Sequence, residues 1–144
     1  MSRIVVGVDG SRESAAALRW ALDEAKARAA RLDVVMAWQY PVPLDAILPE
    51  AEQMDRETQE VVEHMVEAID PSAGAGVDIH PRVFRGPAGP ALVDAADGAE
   101  LLVVGSQGRG RFASLVLGSV SLFCVSKSPC SVVVVPPPAA SDAA

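Results

Sequence analysis

The segment RIVVGVDGS, residues 3–11, opens with a continuous apolar run and closes with an aspartate, a glycine and a serine. Such a run is typical of a strand buried on both faces, as in a parallel sheet. Ser11 is a good N-cap, and the residues after it place small and apolar side chains on one helical face. The segment therefore predicts a strand followed directly by a helix over residues 11 to about 30.

The same alternation continues outward from this segment. Further strands are predicted at residues 32–38, 77–84, 101–104 and 131–135. Further helices are predicted at residues 49–70 and 119–127, with a short one within residues 87–98. This order is typical of an α/β, Rossmann-like fold, with a five-stranded parallel sheet, helices on both faces and right-handed crossovers. Ligands bind such sheets at the carboxyl ends of the strands. We expect one domain over residues 1–138 and a flexible tail over residues 139–144.

Composition excludes several classes of function. The 144 residues carry a formal net charge of −7, which argues against sequence-independent binding of nucleic acid. No apolar run approaches the ~20 residues of a membrane span, and the N-terminus does not resemble a signal peptide, so we expect a soluble cytoplasmic protein. Cys124 and Cys130 lack the spacing of a zinc site and are expected to be reduced thiols. His64 and His80 have no second ligand at metal spacing.

The segment from Gly105 to Ser121 is the candidate for chemistry. Its glycines allow a phosphate group to approach the backbone closely, and Ser119 and Ser121 lie at a predicted helix start, where free N–H groups favour an anion. It is neither a P-loop, which needs a lysine absent here, nor the dinucleotide fingerprint, which belongs after the first strand. Spacing alone leaves two alternatives equally open, a phosphate-binding loop and a plain turn after a strand.

A resemblance favours the first alternative. The spacing of Gly105, Gly108, Gly118 and Ser119 is similar to the ATP-binding signature of the universal stress protein family. The similarity covers nearly the whole chain and includes these segments: Val6 to Ser11, Arg19-Trp20-Ala21, the Gly86 turn, Leu101 to Gly105, Leu117 to Ser121 and Pro129-Cys130. Gln107 departs from the family, in which a basic residue is frequent at that position, and so does the segment Ser126-Lys127-Ser128.

The resemblance implies a site, a strand order and a partner. The strand order would be 3-2-1-4-5, and the last strand, with Val132, Val133, Val134 and Val135, would pair with its counterpart in a homodimer. The implied cofactor is ATP, with Asp9 near ribose hydroxyls or a nucleotide-bound Mg or Mn ion. The implied nucleotide-binding residues are Val8, Asp9, Ala37, Trp38, Gly105, Ser106, Gly108, Arg109, Gly110, Gly118, Ser119, Val120 and Ser121.

Three functions remain open on this basis. The first is an ATP-binding module of the stress response that changes the surface it offers to a partner protein, with slow or absent hydrolysis. The second is a slow ATP hydrolase or phosphotransferase using Asp9 and a divalent ion, although no second catalytic group is evident. The third is a nucleotide-free interaction dimer. We therefore predict no catalytic residue.

Overall fold

The strands of the protein are β1 (Arg3–Gly7), β2 (Arg31–Trp38), β3 (Ile79–Arg85), β4 (Leu101–Gly105) and β5 (Ser131–Val135). The helices are α1 (Arg12–Arg28), α2 (Glu50–Ile69), α3 (Ala88–Ala95) and α4 (Ser119–Lys127). These elements come from a computed structural model, which describes residues 2–39, 50–69, 76–106 and 117–137. The predicted tail, residues 139–144, lies outside the described residues.

All five strands are parallel and lie in the order β3-β2-β1-β4-β5, which confirms the predicted topology. Val6 of β1 lies opposite Val34 of β2 on one side and Val103 of β4 on the other. The chain therefore runs outward from β1 in one direction, then crosses back to β4 and β5. The point at which the strand order reverses lies between β1 and β4, so their carboxyl ends form the expected ligand-binding edge.

Two apolar clusters cover the two faces of the sheet. Ile4 and Val6 pack with residues of α1 and α2 on one face, while Val5 packs with residues of α3 and α4 on the other. Both faces are therefore closed to water, which explains why β1 and β4 have no polar alternation. No helix in the described part of the chain is long and apolar enough to cross a membrane.

The bounds of α1, α3 and β3 can be compared with the predicted ones. The Ser11 hydroxyl accepts a hydrogen bond from the Ser14 N–H at 3.1 Å, which confirms Ser11 as the N-cap of α1. Helix α3 lies within the predicted range 87–98. Pro87 precedes it as N-cap, and Ala96 ends it before Gly98, which turns the chain at φ 80°. Strand β3 starts later than predicted, because its pairing with β2 begins at Ile79.

An ionic cluster at the amino ends of the strands was not predicted. Asp33 of β2 is fully buried, and its carboxylate accepts hydrogen bonds from Arg3, Arg31 and Arg82, the closest at 2.7 Å from Arg31 Nε. Arg3 also donates to the carbonyl oxygen of Ala95 at 2.8 Å, which ties the end of α3 to β1. This cluster stabilises the edge of the sheet opposite the candidate site.

Candidate functional site

The carboxyl end of β1 leads into the first turn of α1 through a set of short hydrogen bonds. Asp9 Oδ1 accepts from the Ser11 N–H at 2.9 Å, and the Asp9 N–H donates to Ser14 Oγ at 3.2 Å. Ser14 Oγ in turn donates to the Ser11 carbonyl oxygen at 2.9 Å. Asp9 is half-buried. Its carboxylate is thus oriented by the turn at the ligand edge, with Oδ2 in none of these contacts.

The end of β4 and the start of α4 are held together in a similar way. The Gly118 N–H donates to the Ser106 carbonyl oxygen at 2.7 Å, and the Ser121 hydroxyl donates to the Gly105 carbonyl oxygen. Gly118 is the N-cap of α4 and has no side chain with which to cap it. Within the described residues, no side chain caps the N–H groups of the first turn, such as those of Ser119 and Val120, and an anion is favoured at such a helix start.

A cleft of about 70 Å³ lies between these two turns. Both α1 and α4 present their first turn to it, and α3 closes its third side. The volume is below the several hundred Å³ of typical small-molecule pockets, so it would hold one part of a nucleotide. The lining residues are Gly7, Val8, Asp9, Ser14, Ala88, Leu92, Val104, Gly105, Val120 and Ser121.

The structure places the predicted residues in three groups. Val8, Asp9, Gly105, Val120 and Ser121 line the cleft. Ser106, Gly118 and Ser119 do not line it, although they lie within two residues of Gly105 or Val120 in the sequence. Ala37 and Trp38 lie at the end of β2 and do not line it either. The remaining three predicted residues lie outside the described part of the chain: Gly108, Arg109 and Gly110.

The predicted site lacks five lining residues: Gly7, Ser14, Ala88, Leu92 and Val104. Ser14 has a readable signal, because a serine three positions after a serine N-cap can reach back to the turn before the helix. Leu92 has none: it lies on the buried face of α3 and reaches the cleft because α3 packs over β1. Its δ carbons come so near Gly7 that a Cβ there would lie 2.7 Å from one of them.

Gly105 also has a packing role. A Cβ at this position would lie 3.2 Å from the carbonyl oxygen of Glu13 in the first turn of α1. The absence of a side chain lets β4 and α1 approach closely, which brings the N-termini of α1 and α4 to the same cleft. The glycine spacing therefore serves helix packing in addition to any contact with a ligand.

Ser106 carries a buried polar group. The residue is 7% exposed, and its hydroxyl oxygen is buried without a hydrogen-bond partner among the residues that the structure describes. A buried hydroxyl without a partner costs about 1–3 kcal/mol, and such groups are uncommon in folded proteins. Its position is at the junction of β4 and the glycine-rich loop. An acceptor or donor brought by a ligand would remove that cost.

Trp38 is fixed by a carboxylate of α2. Its indole N–H donates to Asp55 Oδ1 at 2.8 Å, and the Arg85 guanidinium donates to Asp55 Oδ2 at 2.7 Å. The hydrogen bonds from Arg85 and then from Trp38 hold the pKa of Asp55 below its usual value, against the opposing effect of partial burial. This set of three side chains joins α2 to the carboxyl ends of β2 and β3, beside the candidate site.

The charges near the cleft suit an anionic ligand better than the net charge indicates. The sequence has no aspartate or glutamate between Glu100 and Asp142, although the chain contains 19 acidic residues. Among the residues that line the cleft, Asp9 is the acidic one, and the β4 and α4 side of the cleft carries no carboxylate. Within the described residues, no group of three or more histidine, cysteine or acidic side chains could hold a metal ion.

A family model described as the universal stress protein family matches residues 1–136. The chain belongs to that family. It is 42% identical over 138 residues to universal stress protein Rv2624c of Mycobacterium tuberculosis, an alignment that covers 93% of this chain and 48% of the relative. This universal stress protein chain thus spans about half the length of the curated relatives it matches.

Solved structures of the family share the fold. A universal stress protein crystallised in complex with cAMP is 29% identical, with a TM-score of 0.73 and coverage of 95% of this chain and 98% of that one. A family member from Arabidopsis thaliana, solved with AMP bound, has a TM-score of 0.61 at 19% identity, with coverage of 98% and 95%. At 19% identity, the similarity to the Arabidopsis protein concerns the fold alone. The cAMP complex is a nucleotide-bound structure at the higher identity of 29%.

Proposed function

We propose that this universal stress protein binds an adenine nucleotide, ATP in the first instance, at the cleft between β1 and β4, and acts as a homodimeric, nucleotide-responsive regulatory module of the stress response. The observation that carries the proposal is the uncapped N-terminus of α4 beside the unpartnered hydroxyl of Ser106. The N–H groups at the start of α4 and the Ser106 hydroxyl can each donate a hydrogen bond to a ligand. They lie at the edge of the sheet where this fold binds ligands. The cAMP complex of a relative supports the same ligand class.

The nucleotide would lie across the edge of the sheet. Its phosphates would meet the N–H groups of Ser119 and Val120, with Gly105, Ser106, Gly108, Arg109, Gly110, Gly118 and Ser121 around them. The nucleoside would meet Val8, Asp9, Ala37 and Trp38. Because Asp9 repels phosphate, its carboxylate would bind ribose hydroxyls or a nucleotide-bound Mg or Mn ion. The cleft volume supports this division, since it would hold only one part of the ligand.

Isothermal titration calorimetry with ATP, AMP and cAMP tests the proposal directly. Ser119→Ala is expected to weaken binding, because it removes a hydroxyl donor at the first turn of α4. Ser121→Ala is expected to weaken binding indirectly, because the Ser121 hydroxyl holds that turn on the Gly105 carbonyl oxygen. Ser126→Ala is the matched control, since its hydroxyl donates to the Leu122 carbonyl oxygen at the far end of the same helix. If no adenine nucleotide binds, and none is released from freshly purified and denatured protein, the proposal is wrong and a nucleotide-free interaction dimer takes its place.

We also propose that hydrolysis is slow or absent. A hydrolase needs a positioned base and usually a divalent ion. Asp9 is the acidic side chain in the cleft lining, and one of its oxygens already accepts the Ser11 N–H. Phosphate release with Mg or Mn tests this point. Turnover that Asp9→Ala abolishes, with nucleotide binding retained, would establish the alternative of a hydrolase or phosphotransferase.

A further inference from the structure

A cavity of about 690 Å³ lies against the face of α1 that points away from the sheet. Its apolar lining consists of Ala15, Ala16 and Trp20 of α1, with Ile69 at the end of α2 and Val135 at the end of β5. The volume is in the range of several hundred Å³ that small-molecule pockets occupy. The cavity is separate from the cleft at the nucleotide edge, because the two share no lining residue in the described part of the chain.

The apolar lining belongs to the rim of the core. Ala16, Trp20 and Ile69 pack against the apolar cluster under α1 and α2, but each of them is only half-buried. Their remaining surface is apolar, and a ligand with an apolar body would remove it from water. The indole of Trp20 favours an aromatic body, because pairs of aromatic rings attract each other beyond the effect of the area that they bury.

Two arginines line the same cavity. Arg12 and Arg19 are seven residues apart, which puts them on one face of α1, about 10 Å apart along its axis. Both are exposed. Within the described residues, the Arg12 guanidinium is in no hydrogen bond or ion pair, and that of Arg19 has one long contact, 3.4 Å from the Ile69 carbonyl oxygen. Arg12 also lies at the positive end of the helix dipole of α1, which adds to the attraction for an anion.

The charge of the lining limits the charge of the ligand. Asp23 is the acidic residue of the lining, and it lies eleven residues after Arg12, about 16 Å away along the helix axis. The lining therefore carries a surplus of one positive charge, at the end of the cavity near Arg12. Because the chain as a whole carries a net charge of −7, a ligand with one negative charge suits this surplus better than a more highly charged one.

We propose that this cavity is a second binding site, for a small aromatic carboxylate. The carboxylate binds between the guanidiniums of Arg12 and Arg19, whose planar donors match its two oxygens. The aromatic body packs on Ala16 and Trp20. The site lies on α1, outside the nucleotide cleft, so binding there does not depend on the proposed function.

Calorimetry with 2-naphthoate at low ionic strength, where exposed charges are least screened, tests the proposal. Arg12→Gln and Arg19→Gln should each weaken binding by about fivefold, as for an exposed ion pair at the upper end of its range. Arg28→Gln is the matched control, because it removes the same charge from α1 at an arginine whose partners are Glu24 and Glu100. That variant should bind 2-naphthoate as the parent does.

Two further ligands separate the parts of the site. The alcohol 2-naphthalenemethanol has the same rings without the charge, and acetate has the charge without the rings, so both should bind more weakly than 2-naphthoate. Equal affinity of the alcohol and the carboxylate would show that the arginines recognise no anion. Absence of binding at millimolar 2-naphthoate, or unchanged affinity in both arginine variants, also overturns the proposal.

Ala16→Glu tests the position of the ligand. The larger, negatively charged side chain should fill the cavity and repel the carboxylate, and 2-naphthoate binding should be lost while urea denaturation shows a folded protein. Ser119→Ala should leave 2-naphthoate affinity unchanged. Displacement of 2-naphthoate by ATP would place it in the nucleotide cleft and overturn the inference. ATP affinity measured on the arginine variants should equal that of the parent, which keeps this test independent of the proposed function.

Discussion

The hydroxyl of Ser121 donates to the carbonyl oxygen of Gly105, so the first turn of α4 is attached to the carboxyl end of β4. This contact joins the start and the end of the glycine-rich connection. It holds the uncapped N-terminus of α4 beside the cleft, where Val120 and Ser121 meet Asp9 and Ser14 of the β1 turn. The two ends of the predicted phosphate loop are thus held next to each other by contacts between β4 and α4.

Ser106→Ala should separate ligand binding from folding. If a ligand satisfies the Ser106 hydroxyl, its loss should weaken nucleotide affinity by about 10-fold or more, as for one hydrogen bond to a charged group. The free energy of unfolding should not fall, because the hydroxyl has no hydrogen-bond partner in the described part of the chain. Calorimetry and urea denaturation measure the two quantities.

Ser128→Ala is the control for the Ser106→Ala experiment, because it should change stability but not nucleotide affinity. The Ser128 hydroxyl donates to the carbonyl oxygen of Cys130 at 2.9 Å and accepts from its N–H at 3.2 Å. Its loss should lower the free energy of unfolding and leave nucleotide affinity unchanged. Equal nucleotide affinity of Ser106→Ala and the parent would show that the Ser106 hydroxyl does not contact the ligand.

Alanine substitution should affect Gly7 and Gly89 differently. A Cβ at Gly7 would lie 2.7 and 2.8 Å from the δ carbons of Leu92, a side chain that is 4% exposed and packed in the apolar cluster under α3 and α4. Overpacking of this kind should lower the free energy of unfolding by about 1–3 kcal/mol. A Cβ at Gly89 would meet Phe123 at 2.8 Å, but that ring is 37% exposed and can turn outward.

For Gly89→Ala the better helix propensity of alanine, up to about 1 kcal/mol, offsets the displaced ring. The net change in the free energy of unfolding should therefore be smaller than for Gly7→Ala. Urea denaturation of both proteins decides the point. Similar losses at the two positions would mean that Phe123 is as firmly packed as Leu92.

Asp33→Asn should be destabilising. The substitution removes the buried charge that accepts hydrogen bonds from Arg3, Arg31 and Arg82, and because these arginines are themselves 21–40% exposed, the loss should be about 1–3 kcal/mol. Asp78→Asn is the control, because Asp78 is 61% exposed, and it should change stability by less than about 1 kcal/mol. A loss below about 1 kcal/mol for Asp33→Asn, measured by urea denaturation, would contradict this account of the cluster.

Asp55 should make stability depend on pH. Its pKa is lowered in the folded protein, first by Arg85, so its ionised form stabilises the fold above the unfolded-state pKa of about 4. The advantage of the parent over Asp55→Asn should therefore be present at pH 7 and be lost as the pH falls through the lower, folded-state pKa. Because the carboxylate is 36% exposed, solvent screening limits the advantage to about 1 kcal/mol.

Urea denaturation across this pH range measures the effect, and the Trp38 emission in a Trp20→Phe background reports the same titration. Glu57→Gln, on the same helix, is the control, since the contact that Glu57 shows is with the neutral Gln53 amide. An advantage over Asp55→Asn that persists unchanged at pH 3 would mean that the charge of Asp55 is not the cause.

The fold was predictable because its signals are local. The apolar run at β1, the N-cap at Ser11 and the alternation of strands and helices each depend on a few neighbouring residues, and together they predicted a parallel sheet with both faces covered. The strand order came from the family resemblance, and the sheet confirmed it. Periodicity gave no means of recognising Asp33, because a charge in an apolar strand has no visible partner until three strands lie side by side.

The candidate site divides in the same way. The sequence by itself determined the glycine spacing and the serines at the start of α4, because these are consecutive features of one segment. Tertiary structure alone decided that Ser14 and Leu92 share a cleft with Val120, that the Ser106 hydroxyl is buried without a partner, and that Asp55 fixes Trp38. Each of these depends on groups from separate elements, which approach only after the helices have packed on the two faces of the sheet.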